Sequence, residues 1–421
     1  MPAGDALLTP ALRKWRWRIF ASTWLCYAGL YFCRKPFYIA KSALGQELHF
    51  SATMLGTIGS VYLVTYAAGQ FAAGALGNRW GPRVLLLAGM AISIACNVGF
   101  GLSNSYWSFA ALMAVNGLAQ ATGWPGTVGT MANWFRRSER GTVMGFWATN
   151  YQVGGVAANA LAAWALGAWG YRYSFFTGSM VLLVVWGFFV FNQRNHPADV
   201  GLPPIADDAD EERGVAGARG WTRAAIVNVL LVGVFYFFLK FIRYSLWSWA
   251  PFLLERNFGL HGDQAGYLST TFDVAGIAGV VVTGVLSDKV FKSRRAGVSL
   301  WMIVAMLASC VLLYVVGGVS VTLFAICIAL VGFTLYGPDA LMSGAGAMDI
   351  GSRRGALLAA AIINGMGSLG AVVQELAIGR AYDLTGGDLG PIFLMLVASS
   401  VAAMLAIGVV YARNRTGASD V

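Results

Sequence analysis

Apolar residues run along this chain in long stretches broken only by small residues, as in Val181–Phe191 and Ile392–Val410. Strict alternation of apolar and polar positions, the mark of a barrel strand, is missing, so the runs predict helices. A hydrocarbon core takes ~20 such residues to cross. Spans are expected at 18–40, 53–76, 83–102, 108–133, 141–167, 174–193, 224–255, 265–290, 296–316, 319–348, 354–380 and 391–411. Only helices or closed barrels satisfy backbone polar groups in lipid, which leaves an all-α membrane protein of twelve transmembrane helices.

The polar positions fall between these runs. Basic clusters stand at Arg13/Lys14/Arg16/Arg18, Arg79/Arg83, Arg136/Arg137/Arg140, Lys289/Lys292/Arg294/Arg295, Arg353/Arg354 and Arg413/Arg415. With simple alternation of the spans, every cluster lies on one side, so both termini are expected in the cytoplasm. The longest polar stretch joins a Pro-rich segment, His196–Pro204, to the acidic Asp207–Glu212 and a Gly-rich tail. It reads as a cytoplasmic linker, 194–223, between six-helix halves at 1–193 and 224–421.

The halves resemble each other. Gly74-Ala-Leu-Gly-Asn-Arg-Trp-Gly-Pro-Arg83 matches Gly284-Val-Leu-Ser-Asp-Lys289 at an offset of 210, and Arg34 matches Arg243 at 209. Arg140-Gly141 matches Arg354-Gly355, and Asn150 matches Asn364, both at 214. Two pseudo-symmetric six-helix bundles follow, and internal repeats of a transporter place its substrate at the repeat interface.

Composition narrows the class. The 421 residues are 57% hydrophobic and 11% charged, against ~25% charged in soluble domains, which excludes a water-soluble fold. The net charge of +10 sits in connections between spans, with no aromatic-interleaved basic stripe, so no nucleic-acid partner is expected. Cys26, Cys33, Cys96, Cys310 and Cys327 all fall in apolar runs and read as buried thiols. His49, His196 and His261 fall in loops, which excludes a metal cluster or an imidazole relay in the membrane. Gly365-Met-Gly-Ser-Leu-Gly370 satisfies a dinucleotide-binding pattern, but it lies in an apolar helix with no preceding strand and reads as helix packing. With no Walker A sequence either, the chain is expected to be no enzyme, to hold no cofactor or metal, and to be driven by gradients.

The chemistry concentrates on Arg34 and Arg243. Each interrupts an apolar helix at a depth where an arginine costs at least ~2.5–3.5 kcal/mol. One guanidinium from each half, related by the repeat, would face its mate across a central cavity and bind a tetrahedral oxyanion bidentately. The alternative is snorkelling, or pairing with an acid such as Asp273. Tyr27, Tyr31 and Arg34 share a helix face, and Lys240, Arg243 and Trp247 repeat the arrangement in the second half. Tyrosines suit a sugar or glycerol backbone, although an aromatic stripe also serves packing.

The glycine-x-leucine-x-acid-base loops at 74–83 and 284–289 resemble those of the major facilitator superfamily. The fragments Tyr31-Phe-Cys-Arg-Lys35, Gly123-Trp-Pro125, Val153-Gly-Gly155, Arg243-Tyr-Ser-Leu-Trp-Ser-Trp-Ala-Pro251, Asp273-Val-Ala-Gly-Ile-Ala-Gly279, Ser287-Asp-Lys-Val-Phe291 and Tyr336-Gly-Pro338 resemble its organophosphate:phosphate antiporter family. The resemblance implies that Arg34 and Arg243 hold the phosphoryl group. It implies that Tyr27, Tyr31, Tyr66, Trp124 and Tyr336 line the cavity; Tyr151 and Lys240 complete the expected substrate-binding set. Asp273, Asn78, Arg79, Asp288 and Lys289 are the expected coupling or gating residues. Asn78 stands where the family usually carries Asp; Tyr151 and Gln70 stand where the glycerol-3-phosphate branch carries a histidine and a lysine. Asp273 is expected to form a salt bridge with Lys240 or Arg243 when phosphate is absent, or to be a helix-packing acid.

The expected function is therefore exchange of an organophosphate, either glycerol-3-phosphate or a sugar phosphate, for inorganic phosphate by alternating access. A hexose-phosphate sensor of the same fold and a proton-coupled carrier of another organic anion are the alternatives. The expected partners are a small anionic phosphoester, inorganic phosphate and membrane lipids. The expected site of action is a bacterial inner membrane, with a monomer as the simplest assembly.

Overall fold

A computed structural model describes residues 9–135, 143–144, 146–147, 149–203, 205, 223–289, 295–342 and 347–415; the side chains at 71, 74, 75, 77, 78, 224, 225, 287–289, 295 and 347–361 fall outside that description. The helices are α1 (Pro10–Phe32), α2 (Lys35–Glu47), α3 (Ala52–Leu102), α4 (Tyr106–Gln120), α5 (Gly123–Trp134), α6 (Thr149–Trp169) and α7 (Tyr171–Asn192). They continue with α8 (Arg223–Phe258), α9 (Gly262–Lys289), α10 (Arg295–Val316), α11 (Val321–Ala340), α12 (Ala347–Leu384) and α13 (Gly390–Arg415). Among the described residues no strand occurs, and eight helical segments are long and apolar enough to cross a bilayer. The five cysteines are free and buried.

Four of the expected spans are modified in a way that local chemistry explains. The first, at 18–40, is broken at Cys33–Arg34 into α1 and α2. The fourth, at 108–133, is broken at Ala121–Thr122 into α4 and α5. Pro36 and Pro125 each sit in the first turn after the break, where a missing N–H removes no helical bond. The second and third expected spans run together as α3, which kinks at Gly81 and Pro82. Gly81 has φ +79, and a Cβ there would meet Asn195 Nδ2 at 2.7 Å, so glycine is needed both for the backbone and for the space.

The chain divides into two compact units. The first comprises residues up to Phe37 together with Val64–Ala216. Within it α1 packs on α5, α6 and α7. Arg83 closes the end of α7 by donating to the carbonyls of Val190, at 2.6 Å, and Gln193.

The second unit comprises Tyr38–Leu63 and the chain from Gly217 onward. Here α8 packs on α12 and α13, and α9 on α11. Helices α9 and α11 meet through reciprocal glycines: a Cβ on Gly279 would lie 1.9 Å from the Phe333 carbonyl, and one on Gly332 would lie 2.2 Å from the Phe272 carbonyl. Small residues at such crossings let backbones approach in lipid, where no hydrophobic force drives helices together. Gly367 and Gly370 do the same against Tyr236 and the Phe237 carbonyl, so two of the three glycines of the dinucleotide-like pattern pack α12 on α8.

Residues 38–63 are tied into this unit by polar contacts. Lys41 Nζ lies 2.8 Å from Glu375 Oε2 and donates to Ser248 Oγ at 2.6 Å, while Ser248 donates to the other carboxylate oxygen. Both charged side chains are fully buried, and Lys41 stands 3.7 Å from the Trp249 ring centroid. Asp383 accepts from the backbone N–H groups of Ala52 and Thr53, at 3.0 and 2.7 Å, capping the start of α3.

Candidate functional site

The break between α1 and α2 frees a carbonyl and turns a guanidinium inward. The Cys33 carbonyl accepts from Asn97 Nδ2 at 2.9 Å and from Asn116 Nδ2 at 3.1 Å, so the interrupted backbone is satisfied by side chains of α3 and α4. Irregular backbone at membrane depth is tolerated where protein groups re-satisfy it in this way. Arg34 follows directly. Its Nε donates to Gln120 Oε1 at 2.9 Å, at the second helix break. Gln120 donates in turn to Ser93 Oγ at 3.0 Å, and Ser93 donates to Asn116. The four residues Ser93, Asn97, Asn116 and Gln120 are buried and neutral, a polar lattice that fixes both breaks.

Aromatic rings surround this arginine. Its Cζ lies 4.8 Å from the Tyr31 centroid and 5.1 Å from that of Tyr66. Tyr27 contacts Tyr31, Trp124 and Trp147 edge-on or tilted, at 6.1, 5.7 and 5.7 Å. Tyr151 packs on the same cluster. The structure thus gathers Tyr27, Tyr31, Arg34, Tyr66, Trp124 and Tyr151 in one unit, and adds Trp147, which donates to Thr23 Oγ1 at 3.1 Å.

The second arginine has a different setting. Arg243 Nη1 lies 2.5 Å from Asp339 Oδ2, and Lys240 Nζ lies 3.9 Å from Asp339 Oδ1. Arg243 also stands 4.6 Å from the Tyr336 centroid, and Lys240 stands over Tyr236 and Tyr244 at 5.0 and 5.5 Å. Tyr336 donates its hydroxyl to Asp273. Asp273 therefore joins the site through Tyr336, and the carboxylate that meets the two cations is Asp339. Lys240, Arg243, Asp273 and Tyr336 come together here.

Of the expected gating residues, Arg79 is exposed just before the Gly81 kink. The side chains of Asn78, Asp288 and Lys289 lie outside the described residues, as do those of Arg353 and Arg354.

Chemically, the two clusters share one competence. Each presents a guanidinium fork and aromatic faces within apolar helices, a set suited to binding an oxyanion with an organic body attached. Neither contains a nucleophile and base arranged for covalent chemistry.

The Major Facilitator Superfamily profile matches residues 23–374. The chain belongs to that superfamily. It is 32% identical to sugar phosphate exchanger 3 of Gallus gallus over 391 residues, covering 82% of this chain and 77% of that protein. It is 28% identical to the glycerol-3-phosphate transporter of Bacillus subtilis (strain 168), covering 95% and 93%. It is 26% identical to the membrane sensor protein UhpC of Escherichia coli (strain K12), covering 93% and 92%. Within the superfamily these relatives place the transporter in the organophosphate:phosphate antiporter family. A solved bacterial homologue of the human lysosomal transporter Spinster, inward-facing and unoccupied, shares the fold with a TM-score of 0.74 at 16% identity, covering 97% of this chain and 99% of that one. The transporter is thus an integral multi-pass membrane protein and no enzyme.

Several site residues, Asn97 and Trp147 among them, escape a reading of the sequence. Gln120, Asn116 and Ser93 are neutral residues of ordinary size in apolar runs and carry no signal of their own. Asp339 does carry one, an acid inside a span, beside Pro338. Only the fold assigns it to Arg243, 96 residues away.

Proposed function

We propose that this transporter exchanges an organophosphate, glycerol-3-phosphate or a sugar phosphate, for inorganic phosphate by alternating access in a bacterial inner membrane. Arg34 and Arg243 are the phosphoryl-binding side chains, one from each of two six-helix halves at 1–193 and 224–421. The observation that carries the reading is the pair of repeat-related guanidinium groups held among aromatic rings in apolar stretches, Arg34 at the break between α1 and α2 and Arg243 within α8. Such a group at such a depth needs a reason, and a phosphoryl dianion supplies it. The names of the Gallus gallus and Bacillus subtilis relatives support a phosphoester as cargo. Tyr27, Tyr31, Tyr66, Trp124, Tyr151, Lys240 and Tyr336 contact the organic body or complete the oxyanion's hydrogen bonds. Arg79, Asn78, Asp288 and Lys289 gate the cytoplasmic side, where both termini lie.

Exchange follows if the halves switch only when the arginines hold an anion, since the empty cation sites then block the return step. Proteoliposomes loaded with phosphate test this. Labelled phosphate is expected to enter by counterflow, to be competed by glycerol-3-phosphate or glucose-6-phosphate, and to fail in Arg34→Ala and Arg243→Ala. Undiminished counterflow in either variant would refute the assignment.

The similarity to UhpC favours a second reading, a membrane sensor of hexose phosphate. Binding of glucose-6-phosphate without counterflow by the reconstituted wild-type chain selects the sensor.

A further inference from the structure

The two arginines differ in the charge of the group that holds them, and the difference assigns a role to Asp339. This inference rests on the phosphate reading above. Arg34 is held by a neutral amide, Gln120. Arg243 is held by a carboxylate at 2.5 Å, which Lys240 approaches at 3.9 Å. We infer that Asp339 is a built-in competitor anion: it holds Nη1, one prong of the Arg243 fork that an incoming anion would use, and it thereby selects phosphoryl anions over carboxylates.

The placement of Asp339 is fixed by its helix. It follows Pro338 near the end of α11, just before a wider, π-type turn at Leu341–Met342. Gly337 is pressed so closely on Thr283 that a Cβ there would clash with its hydroxyl, so α11 and α9 are in close contact next to Asp339. The carboxylate is nearly buried, with its side chain 9% exposed. A buried acid that loses its cation keeps its desolvation penalty without compensation. Displacement is therefore expensive, and the incoming anion must offer the guanidinium more than Asp339 does.

A carboxylate cargo offers nothing extra. It replaces one planar, singly charged acceptor by another and leaves Asp339 unpaired. A phosphoryl dianion brings a second charge and a third oxygen, enough to engage Arg243 and Lys240 together while Asp339 is retained beside them. Removing the carboxylate frees the fork for any small anion. Asp339 thus lowers affinity for every anion and lowers it most for carboxylates. Gln120 cannot discriminate in this way, because an amide does not compete for charge.

The test is equilibrium binding to the purified full-length transporter by calorimetry, with inorganic phosphate and glycerate as probes. Wild type is expected to bind phosphate and not glycerate. Asp339→Asn is expected to bind phosphate at least ~10-fold more tightly, since every 1.4 kcal/mol is tenfold, and to acquire glycerate binding. Asp339→Glu keeps the charge, so it is expected to go on excluding glycerate; this also controls for damage to the fold. Phosphate binding in wild type that is unchanged or weakened in Asp339→Asn overturns the competitor role while leaving the phosphate reading intact. Absence of phosphate binding in both wild type and Asp339→Asn overturns both. Glycerate binding by wild type as tight as that of phosphate also overturns the selection.

Discussion

Arg34 and Arg243 occupy matching positions in the repeat, yet their surroundings solve the same problem differently. Around Arg34 the helix is broken, and a neutral lattice of Gln120, Ser93, Asn116 and Asn97 orients the guanidinium and caps the freed Cys33 carbonyl. Around Arg243 the helix runs on unbroken, and a carboxylate does the orienting. The first arrangement orients its cation with a neutral amide; the second holds its cation against a carboxylate that an incoming anion must outbid. Sequence symmetry therefore does not imply electrostatic symmetry.

Removing each arginine in turn tests the comparison most severely. Both Arg34→Ala and Arg243→Ala are expected to lower phosphate counterflow by ~100-fold or more, as for loss of a buried, hydrogen-bonded charge pair with substrate. Their effects on stability should diverge. Arg243→Ala strands the buried Asp339 and should cost about 3–5 kcal/mol. Arg34→Ala leaves the neutral Gln120 amide short of its guanidinium partner and should cost about 1 kcal/mol. Detergent-solubilised unfolding midpoints measure this gap, and equal losses would break the distinction.

The next effect comes from repairing the stranded charge. Arg243→Ala combined with Asp339→Asn should recover most of the lost stability while counterflow stays absent. A double variant as unstable as the single would mean that Arg243 matters to the fold through its packing on Tyr336.

Converting the first site into a copy of the second is a milder change. Gln120→Glu places a carboxylate on the Arg34 Nε and should weaken phosphate binding by ~10-fold, the weight of one charge-assisted competitor. Tighter or unchanged binding in a titration would show that the neutrality of Gln120 is incidental. Smallest is the loss of one lattice member. Asn116→Ala removes a single donor from the Cys33 carbonyl and should lower stability by about 1 kcal/mol with counterflow reduced only a few-fold. A loss of transport comparable to that of Arg34→Ala would promote the lattice from support to active participant.

What the sequence makes legible depends on the kind of signal. Arg34 and Arg243 stood out because a charge in an apolar run is costly wherever the run folds, and their spacing needed no coordinates. Tyr27 and Tyr31 followed from helical periodicity. The break at Cys33–Arg34 left no trace beyond Pro36, since the apolar character continues through it and the capping amides lie 64 and 83 residues away. The sequence offers Asp273 either as a partner for the cations or as a helix-packing acid, and the structure shows it accepting from the Tyr336 hydroxyl. Asp339 could be seen as an acid in a span, but its partner depends on how α8 and α11 pack. The Lys41–Glu375 pair is the extreme case, with 334 residues between two charges that are intelligible only together.

Obligatory exchange at the two arginines is tested most directly by uptake of labelled phosphate into proteoliposomes. Wild type should accumulate label only when the lumen holds unlabelled phosphate or a phosphoester, and neither Arg34→Ala nor Arg243→Ala should do so under any loading. Equal uptake into empty and loaded vesicles, or full exchange by either variant, would contradict the account.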